Sequence, residues 1–246
     1  MKVRVIGSSG TFPTPTNPGS GYLIESGGTR VWCDAGPGTF TSMPVDGDLV
    51  DAVFISHRHP DHCTDLFTAY HAWTFRPEPR SQVPLYASND VLDHLAAFTS
   101  KRRQDAFGDT FELHPVEGGD TAQIGDLGVS FVEMSHSVPA LGTRWESNGR
   151  TLFFTGDTGP GDWSETLGGV DVLLSEAALP EPRAANESIK HLTPSEAGQI
   201  ARNAGVGSLV LTHIPPYIDA EASVAAAESV FDRPVRLAAP GAELKV

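Results

Sequence analysis

Four potential metal ligands are crowded into six residues, directly after a short apolar run that favours a β-strand. The run covers residues 52–55, and His57, His59, Asp61 and His62 follow it. In an extended stretch, side chains two residues apart point the same way, so His57 and His59 can converge on one metal ion. Imidazole and carboxylate groups are both proper zinc ligands. This spacing therefore predicts a metal site next to the end of a strand.

The proline inside this cluster predicts a change of direction. Proline is favoured in the first turn of a helix, so the chain can turn at Pro60, and Asp61 and His62 then face a second position nearby. Three further residues each end an apolar, strand-like run, and ligand pockets of open sheets lie beyond strand ends. Any one of them alone would more often be structural, but together with the cluster they make seven candidate ligands, enough for two metal ions if one carboxylate bridges. The three residues are His136, Asp157 and His213.

The rest of the chain alternates short strands with helices, which predicts an α/β (α+β) sandwich of two mixed sheets with helices outside, as a single domain over residues 1–246. Strands are expected at residues 3–6, 22–24, 31–33, 52–55, 85–87, 129–134, 151–155, 170–174 and 208–212. Helices are expected from Asp65 to about Phe75, from Ser88 or Asn89 to before Gly108, and over residues 194–204 and 220–231.

The overall charge disfavours a polyanionic partner. Lys and Arg number 17 against 31 Asp and Glu, for a net charge of −14. Nucleic-acid binders usually show the opposite balance. The basic run of Lys101, Arg102 and Arg103 is a weak candidate substrate patch, with solvated surface as the alternative. Two cysteines, Cys33 and Cys63, provide no disulfide framework and fit a reducing cytoplasm. No apolar run approaches the roughly 20 residues that a membrane span needs, so we expect no membrane partner.

The ligand set resembles the metallo-β-lactamase fold hydrolases, whose pattern is Asp, then His-x-His-x-Asp-His, then His, Asp and His. The match runs in this order from Asp34 to His213. The resemblance implies a four-layer αββα sandwich with two zinc ions, manganese or iron being the alternatives. By the family pattern, His57, His59 and His136 would hold one ion, Asp61, His62 and His213 the other, Asp157 would bridge them, and Asp34 would orient the ligand loop.

Later motifs are similar to the ribonuclease Z branch of that family. Residues 135–142 (SHSVPALG) look like its third motif, and residues 175–178 (SEAA) resemble its His-Glu-Ala-Thr motif. Residues 191–193 (HLT) resemble its His-Ser-Thr motif. The family pairing implies that His191 donates a proton to the leaving oxygen and that Glu176 orients it. Without the resemblance, His191 would be an ordinary loop histidine and Glu176 a strand-end surface carboxylate.

The resulting hypothesis is a phosphodiesterase. Two zinc ions would bind the phosphate oxygens and lower the pKa of a bridging water towards ~7, so that hydroxide attacks phosphorus. Asp61 would orient this hydroxide or accept its proton, and His191 would protonate the departing alkoxide.

The substrate expected first is a small phosphodiester such as a cyclic nucleotide. Residues 158–175 leave room for only a linker and a short helix, without the long basic arm common in ribonuclease Z, and the chain has four lysines. Residues 20–23 and 211–216 are similar to a compact subfamily regarded as cyclic nucleotide phosphodiesterases. Processing of tRNA 3′ ends is the second expectation, and hydrolysis of an ester, thioester or lactone the third. A homodimer is expected by analogy.

Overall fold

Two seven-stranded sheets form the centre of the computed structural model, which describes residues 1–99, 102–184 and 190–246. The strands are β1 (Lys2–Gly7), β2 (Gly21–Ser26), β3 (Thr29–Cys33), β4 (Ala52–Ile55), β5 (Val83–Ala87), β6 (Phe111–Pro115), β7 (Thr121–Ile124), β8 (Leu127–Met134), β9 (Ala140–Ser147), β10 (Arg150–Phe154), β11 (Val172–Glu176), β12 (Ser208–Thr212), β13 (Val235–Leu237) and β14 (Glu243–Lys245). The helices are α1 (Pro60–Cys63), α2 (Asp65–Thr74), α3 (Asn89–Phe98), α4 (Arg103–Ala106), α5 (Ser164–Leu167), α6 (Pro194–Asn203) and α7 (Ala220–Phe231).

The two sheets share one plan. The first has the strand order β14-β1-β2-β3-β4-β5-β6 and the second β13-β12-β11-β10-β9-β8-β7. In the first sheet the pairs from β14 to β3 are antiparallel and those from β3 to β6 parallel. In the second sheet the pairs from β7 to β10 are antiparallel and those from β10 to β13 parallel. Parallel strands are covered on both faces, and β4 and β11 are accordingly buried along their whole length.

Three apolar clusters divide the molecule into four layers. Phe54 and Phe154 belong to the cluster between the two sheets, whereas Phe153 belongs to the cluster that covers the outer face of the second sheet. Neighbouring residues of β10 separate in this way because successive strand side chains point to opposite faces. Trp73 of α2 packs in the third cluster, on the outer face of the first sheet. The predicted αββα sandwich is confirmed.

Some predicted elements differ from the structure. The helix expected up to Gly108 is divided: α3 ends at Phe98, α4 begins at Arg103, and residues 100 and 101 lie outside the described ranges. Strands β6, β7, β9, β13 and β14 were not predicted. In β9, Gly142 looks like a turn residue, but a Cβ there would lie 3.0 Å from the Phe154 carbonyl oxygen, so its missing side chain serves close packing.

Two sequence observations have simple structural counterparts. Cys33 and Cys63 are both buried free thiols. Within the described ranges, no helix has the length and apolar character that crossing a membrane requires.

Candidate metal centre

The candidate ligands lie where strands of both sheets end. His57 follows β4, His136 follows β8, Asp157 follows β10 and His213 follows β12. Strands β8, β10 and β12 run in the same direction, because β8 and β10 are each antiparallel to β9 and because β10, β11 and β12 are parallel. Their C-terminal ends therefore share one edge, as the strand-end argument predicted.

The motif after β4 folds locally as its sequence predicts. His59 keeps an extended backbone, with φ −64° and ψ 143°, and occupies the N-cap position of the short helix α1 without a side-chain capping bond. Pro60 is the first residue of that helix, where its missing N–H costs nothing. The turn places Asp61 and His62 on α1, beyond the extended pair His57 and His59.

The first ligand group consists of three histidines whose ring nitrogens face each other. His59 Nδ1 lies 3.0 Å from His57 Nε2 and 3.1 Å from His136 Nε2. Nitrogens bound tetrahedrally to zinc at ~2.0–2.1 Å are separated by about 3.3 Å, which is close to this spacing. Burial lowers the pKa of all three imidazoles below its ordinary value. They are therefore neutral at neutral pH, which is the form that ligates a metal.

The second group joins one carboxylate to two histidines. Asp61 Oδ2 lies 3.6 Å from His213 Nε2 and 3.8 Å from His62 Nε2. Each ring is oriented from behind: His213 Nδ1 is 2.7 Å from the Ser20 hydroxyl, and His62 Nδ1 is 2.7 Å from Asp34 Oδ2. Such hydrogen bonds set the tautomer that leaves Nε2 free for a metal.

Asp157 stands between the two groups. Its Oδ1 is 3.3 Å from His62 Nε2, and its Oδ2 is 3.6 Å from His57 Nε2 and 3.5 Å from His213 Nε2. Burial raises the pKa of this carboxyl, but the nearby histidines outweigh burial and hold it well below its usual range. The ionised carboxylate thus faces both groups.

The donor set fits metal ions. His62 Nε2 and Asp157 Oδ1 are buried polar atoms without a hydrogen-bond partner among the described residues. The two atoms form an ion pair at 3.3 Å, and buried polar atoms are normally hydrogen-bonded, so a buried imidazole nitrogen and carboxylate oxygen that face each other without a hydrogen bond indicate a place for a cation. Burial lowers the pKa of His62, but the charges of Asp157 and Asp34 outweigh burial and raise it. A cation beside Nε2 would remove that excess negative potential.

Asp34 lies directly behind the ligand loop. Its Oδ1 accepts a hydrogen bond from the Ser56 N–H at 2.7 Å, and its Oδ2 accepts one from the Ser56 hydroxyl at 2.9 Å in addition to the bond with His62. Asp34 and His213 both have left-handed backbones, with φ 60° and 54°. Such conformations are unfavourable for residues other than glycine and concentrate at functional sites.

A third buried carboxylate, Glu176, holds the remaining candidate, His191. Glu176 is fully buried, so the interpretation of it as a surface carboxylate is wrong. Its Oε1 lies 3.0 Å from His191 Nδ1, and its two oxygens also accept bonds from the Thr158 and Leu192 N–H groups. Burial lowers the pKa of His191, but the hydrogen bond and the charge of Glu176 outweigh burial and raise it to about 9. His191 is therefore protonated at neutral pH, and 26% of its side chain is exposed.

The backbone around His191 ties this histidine to the first ligand group. The carbonyl of Lys190 lies 2.9 Å from His136 Nδ1 and accepts its hydrogen. Arg183 Nη2 donates to the His191 carbonyl at 2.7 Å, and the same guanidinium forms a two-point ion pair with Glu196 at the start of α6. One short segment thus positions both a candidate ligand and a candidate proton donor.

The roles of several of these supporting residues were not predicted from the sequence. The N–H of Thr11 donates to Asp61 Oδ2 at 3.0 Å, and no pattern predicts a backbone donor. Arg183 likewise has no distinguishing neighbours in the sequence. Ser20 begins the turn that resembles the compact phosphodiesterase subfamily, so a signal was present, but its contact with His213 was not foreseen.

The basic run gives little support to a substrate patch. Arg103 pairs with Asp93 at 2.6 Å, and Arg102 pairs with Asp105 at 3.4 Å. Both arginines are therefore engaged by the protein's own carboxylates. Lys101 lies outside the described residues.

Comparisons with known proteins place the chain in a family. Residues 29–214 match the family described as a beta-lactamase superfamily domain. An uncharacterised protein of Mycobacterium tuberculosis is 32% identical over 242 residues, which cover 96% of this chain and 88% of that protein. Ribonuclease Z of Methanopyrus kandleri is 29% identical, with 94% and 93% covered. The crystal structure of the metallo-beta-lactamase fold protein YhfI from Bacillus subtilis superposes with a TM-score of 0.89 at 26% identity, over 99% of both chains.

The chain therefore belongs to the β-lactamase superfamily, as the resemblance of its motifs implied. Within that superfamily it is a metallo-hydrolase related to ribonuclease Z.

Proposed function

We propose that the chain is a zinc-dependent phosphodiesterase acting on a small phosphodiester such as a cyclic nucleotide. One observation carries the proposal. His191, held by the buried Glu176, places its Nδ1 3.9 Å from Oδ2 of Asp157, the carboxylate that faces both ligand groups. An alkoxide leaves poorly unless it receives a proton, so a positioned imidazolium beside a metal centre suits a phosphodiester with an alkoxide leaving group.

The roles follow from where each side chain faces. When bound, two zinc ions would neutralise the phosphate oxygens and supply a water of lowered pKa as the nucleophile. Asp61, whose Oδ2 is fixed by the Thr11 N–H, would orient that water or accept its proton. His191 would give its proton to the leaving oxygen, and Glu176 would hold the imidazole in place. The proposed ligands are His57, His59 and His136 for one ion and Asp61, His62 and His213 for the other, with Asp157 between them.

Charge and loop length support a small substrate. The chain has a net charge of −14, and the connection between β10 and β11 contains only the four-residue helix α5. A nucleic acid gains most of its affinity when basic side chains neutralise several of its phosphates, and a chain with this net charge is poorly suited to do so. The relationship to ribonuclease Z favours tRNA 3′ processing as the second candidate function.

Salt dependence separates the two candidates. We expect the metal-loaded protein to hydrolyse a cyclic nucleotide with little loss between low and moderate salt, and to cleave precursor tRNA weakly or not at all. Contacts with many phosphates release counterions and make affinity fall steeply with salt, whereas a single phosphodiester does not. Site-specific cleavage of precursor tRNA without turnover of a cyclic nucleotide would promote the ribonuclease function instead. A thioester and a lactone in the same assay test the third expectation.

A further inference from the structure

Two large aromatic side chains are exposed to solvent beside the candidate metal centre. Phe12 is 47% exposed and Tyr217 is 71% exposed. Their ring centroids are 6.4 Å apart, and their planes are inclined by 29°. Burying an aromatic side chain stabilises a protein, and neither of these rings is fully buried. Two adjacent exposed aromatic rings therefore indicate a surface that binds an apolar group.

Short backbone connections attach both rings to the metal ligands. The N–H of Thr11, the residue before Phe12, donates to Asp61 Oδ2 at 3.0 Å. Tyr217 lies four residues after His213 in the chain. The N–H of Gly10 also donates to the carbonyl of Ile214 at 3.2 Å, which joins the two loops to each other. The loops that carry both rings therefore lie on the Asp61 and His213 side of the centre.

Hydrogen bonds and close packing order the two loops at their bases. The Ser9 hydroxyl donates to the Phe12 carbonyl at 2.6 Å, and the Ile218 N–H donates to the Pro215 carbonyl at 2.9 Å. A Cβ at Gly10 would lie 2.5 Å from the His213 carbonyl oxygen, so the first loop is packed directly on the second. A binding surface that is already ordered costs less conformational entropy when its ligand arrives.

We propose that Phe12 and Tyr217 form a stacking platform for the nucleobase of the substrate. This inference rests on the proposed function, because it assigns a recognition role beside the same metal centre. Stacking on aromatic rings suits every base, since each base has a π-face. It also suits an acidic protein, because a neutral planar group gains affinity without adding negative charge. The platform would thus select nucleotides over phosphodiesters that lack a planar substituent.

The test compares a nucleotide with the sugar phosphate that carries a hydroxyl group in place of the base. Binding of adenosine 5′-monophosphate and of ribose 5′-phosphate to the zinc-loaded protein is measured by calorimetry. We expect the unaltered protein to prefer the nucleotide by roughly 5- to 150-fold, the range that corresponds to one stacked base. Phe12→Ala and Tyr217→Ala should each reduce this preference, while zinc content and the affinity for ribose 5′-phosphate stay unchanged.

Two control variants test whether the preference depends on stacking on these rings, and not on the tyrosine hydroxyl or on any exposed aromatic residue. Tyr217→Phe keeps the ring and should keep the preference. Phe75→Ala removes a phenylalanine that is 73% exposed at the end of α2, outside the proposed platform, and should also leave the preference unchanged.

The outcomes distinguish this inference from the proposed function. Equal affinity of the unaltered protein for both ligands would overturn the platform, and so would alanine variants that weaken both ligands to the same extent. Base-dependent binding that the alanine variants remove, in a protein that hydrolyses no cyclic nucleotide, would refute the proposed function and leave the platform supported.

Discussion

The two ligand groups share Asp157 but differ in charge. His57, His59 and His136 contribute imidazoles only, and the second group adds the carboxylate of Asp61 and is supported from behind by the carboxylate of Asp34. The pKa values of the histidines reflect this difference in charge. Burial lowers the pKa of His57, whereas burial also lowers the pKa of His62 but the neighbouring carboxylates outweigh it and raise that pKa. Since negative charge attracts a divalent cation, we expect the second group to bind its ion more tightly than the first.

The largest expected effect comes from removing what the two groups share. Asp157→Ala should lose metal and activity together, because its carboxylate faces both groups. Elemental analysis of the unaltered protein should show about two zinc ions per chain, as two three-residue ligand sets with a common carboxylate imply. Full activity of a thoroughly metal-stripped sample would contradict this prediction.

A second large effect concerns the residue that lies against both groups. The His191 ring is 4.9 Å from that of His136 and 6.3 Å from that of His213. His191→Ala should slow hydrolysis of an alkyl phosphodiester by about 10²–10⁴-fold, as is typical for loss of a general acid. A nitrophenyl diester should be affected much less, because nitrophenolate leaves without a proton. Equal losses on both substrates would show that His191 acts in structure or binding.

A substitution of Asp34 tests whether the two groups differ in their affinity for metal. Asp34→Asn should weaken binding of one zinc ion by about 10–100-fold and leave the other nearly unchanged, because Asp34 contacts His62 of the second group. Competition with a chelator measures both dissociation constants. Ser56→Ala removes a neutral hydroxyl that contacts both His57 and Asp34, and because it removes no charge it should cause a smaller loss. Equal weakening of both ions by Asp34→Asn would show that the groups are not distinguished by charge.

The smallest effect is expected for Arg183, which belongs to neither ligand group. Arg183→Ala should reduce alkyl diester hydrolysis by less than about tenfold, because the arginine contacts the backbone carbonyl of His191 and not the reacting atoms. Arg183→Lys should recover part of the loss, since lysine keeps a charge but not the two-point pairing with Glu196. Hydrolysis of the nitrophenyl diester and zinc content should stay constant. A parallel loss on both diesters would assign Arg183 to general structure.

The local features of this chain could be predicted from its sequence. The strand at Ala52–Ile55, the turn at Pro60 and the helix α2 depend on apolar runs and on the fixed geometry of proline, which act over a few residues. Strands such as β9 and β13 were missed because they are short or contain glycine, and they are stabilised by their neighbours in the sheet and not by local preference.

The sequence by itself determined which groups are available to a metal: the clustered motif, the strand-end residues His136, Asp157 and His213, and the class of fold. Only the tertiary structure decided how they are supported. The backbone N–H of Thr11 carries no side-chain signal, and the pairing of Phe12 with Tyr217 joins opposite ends of the chain. Periodicity and spacing describe neighbours along the chain, whereas these contacts arise when two sheets bring distant loops to one edge.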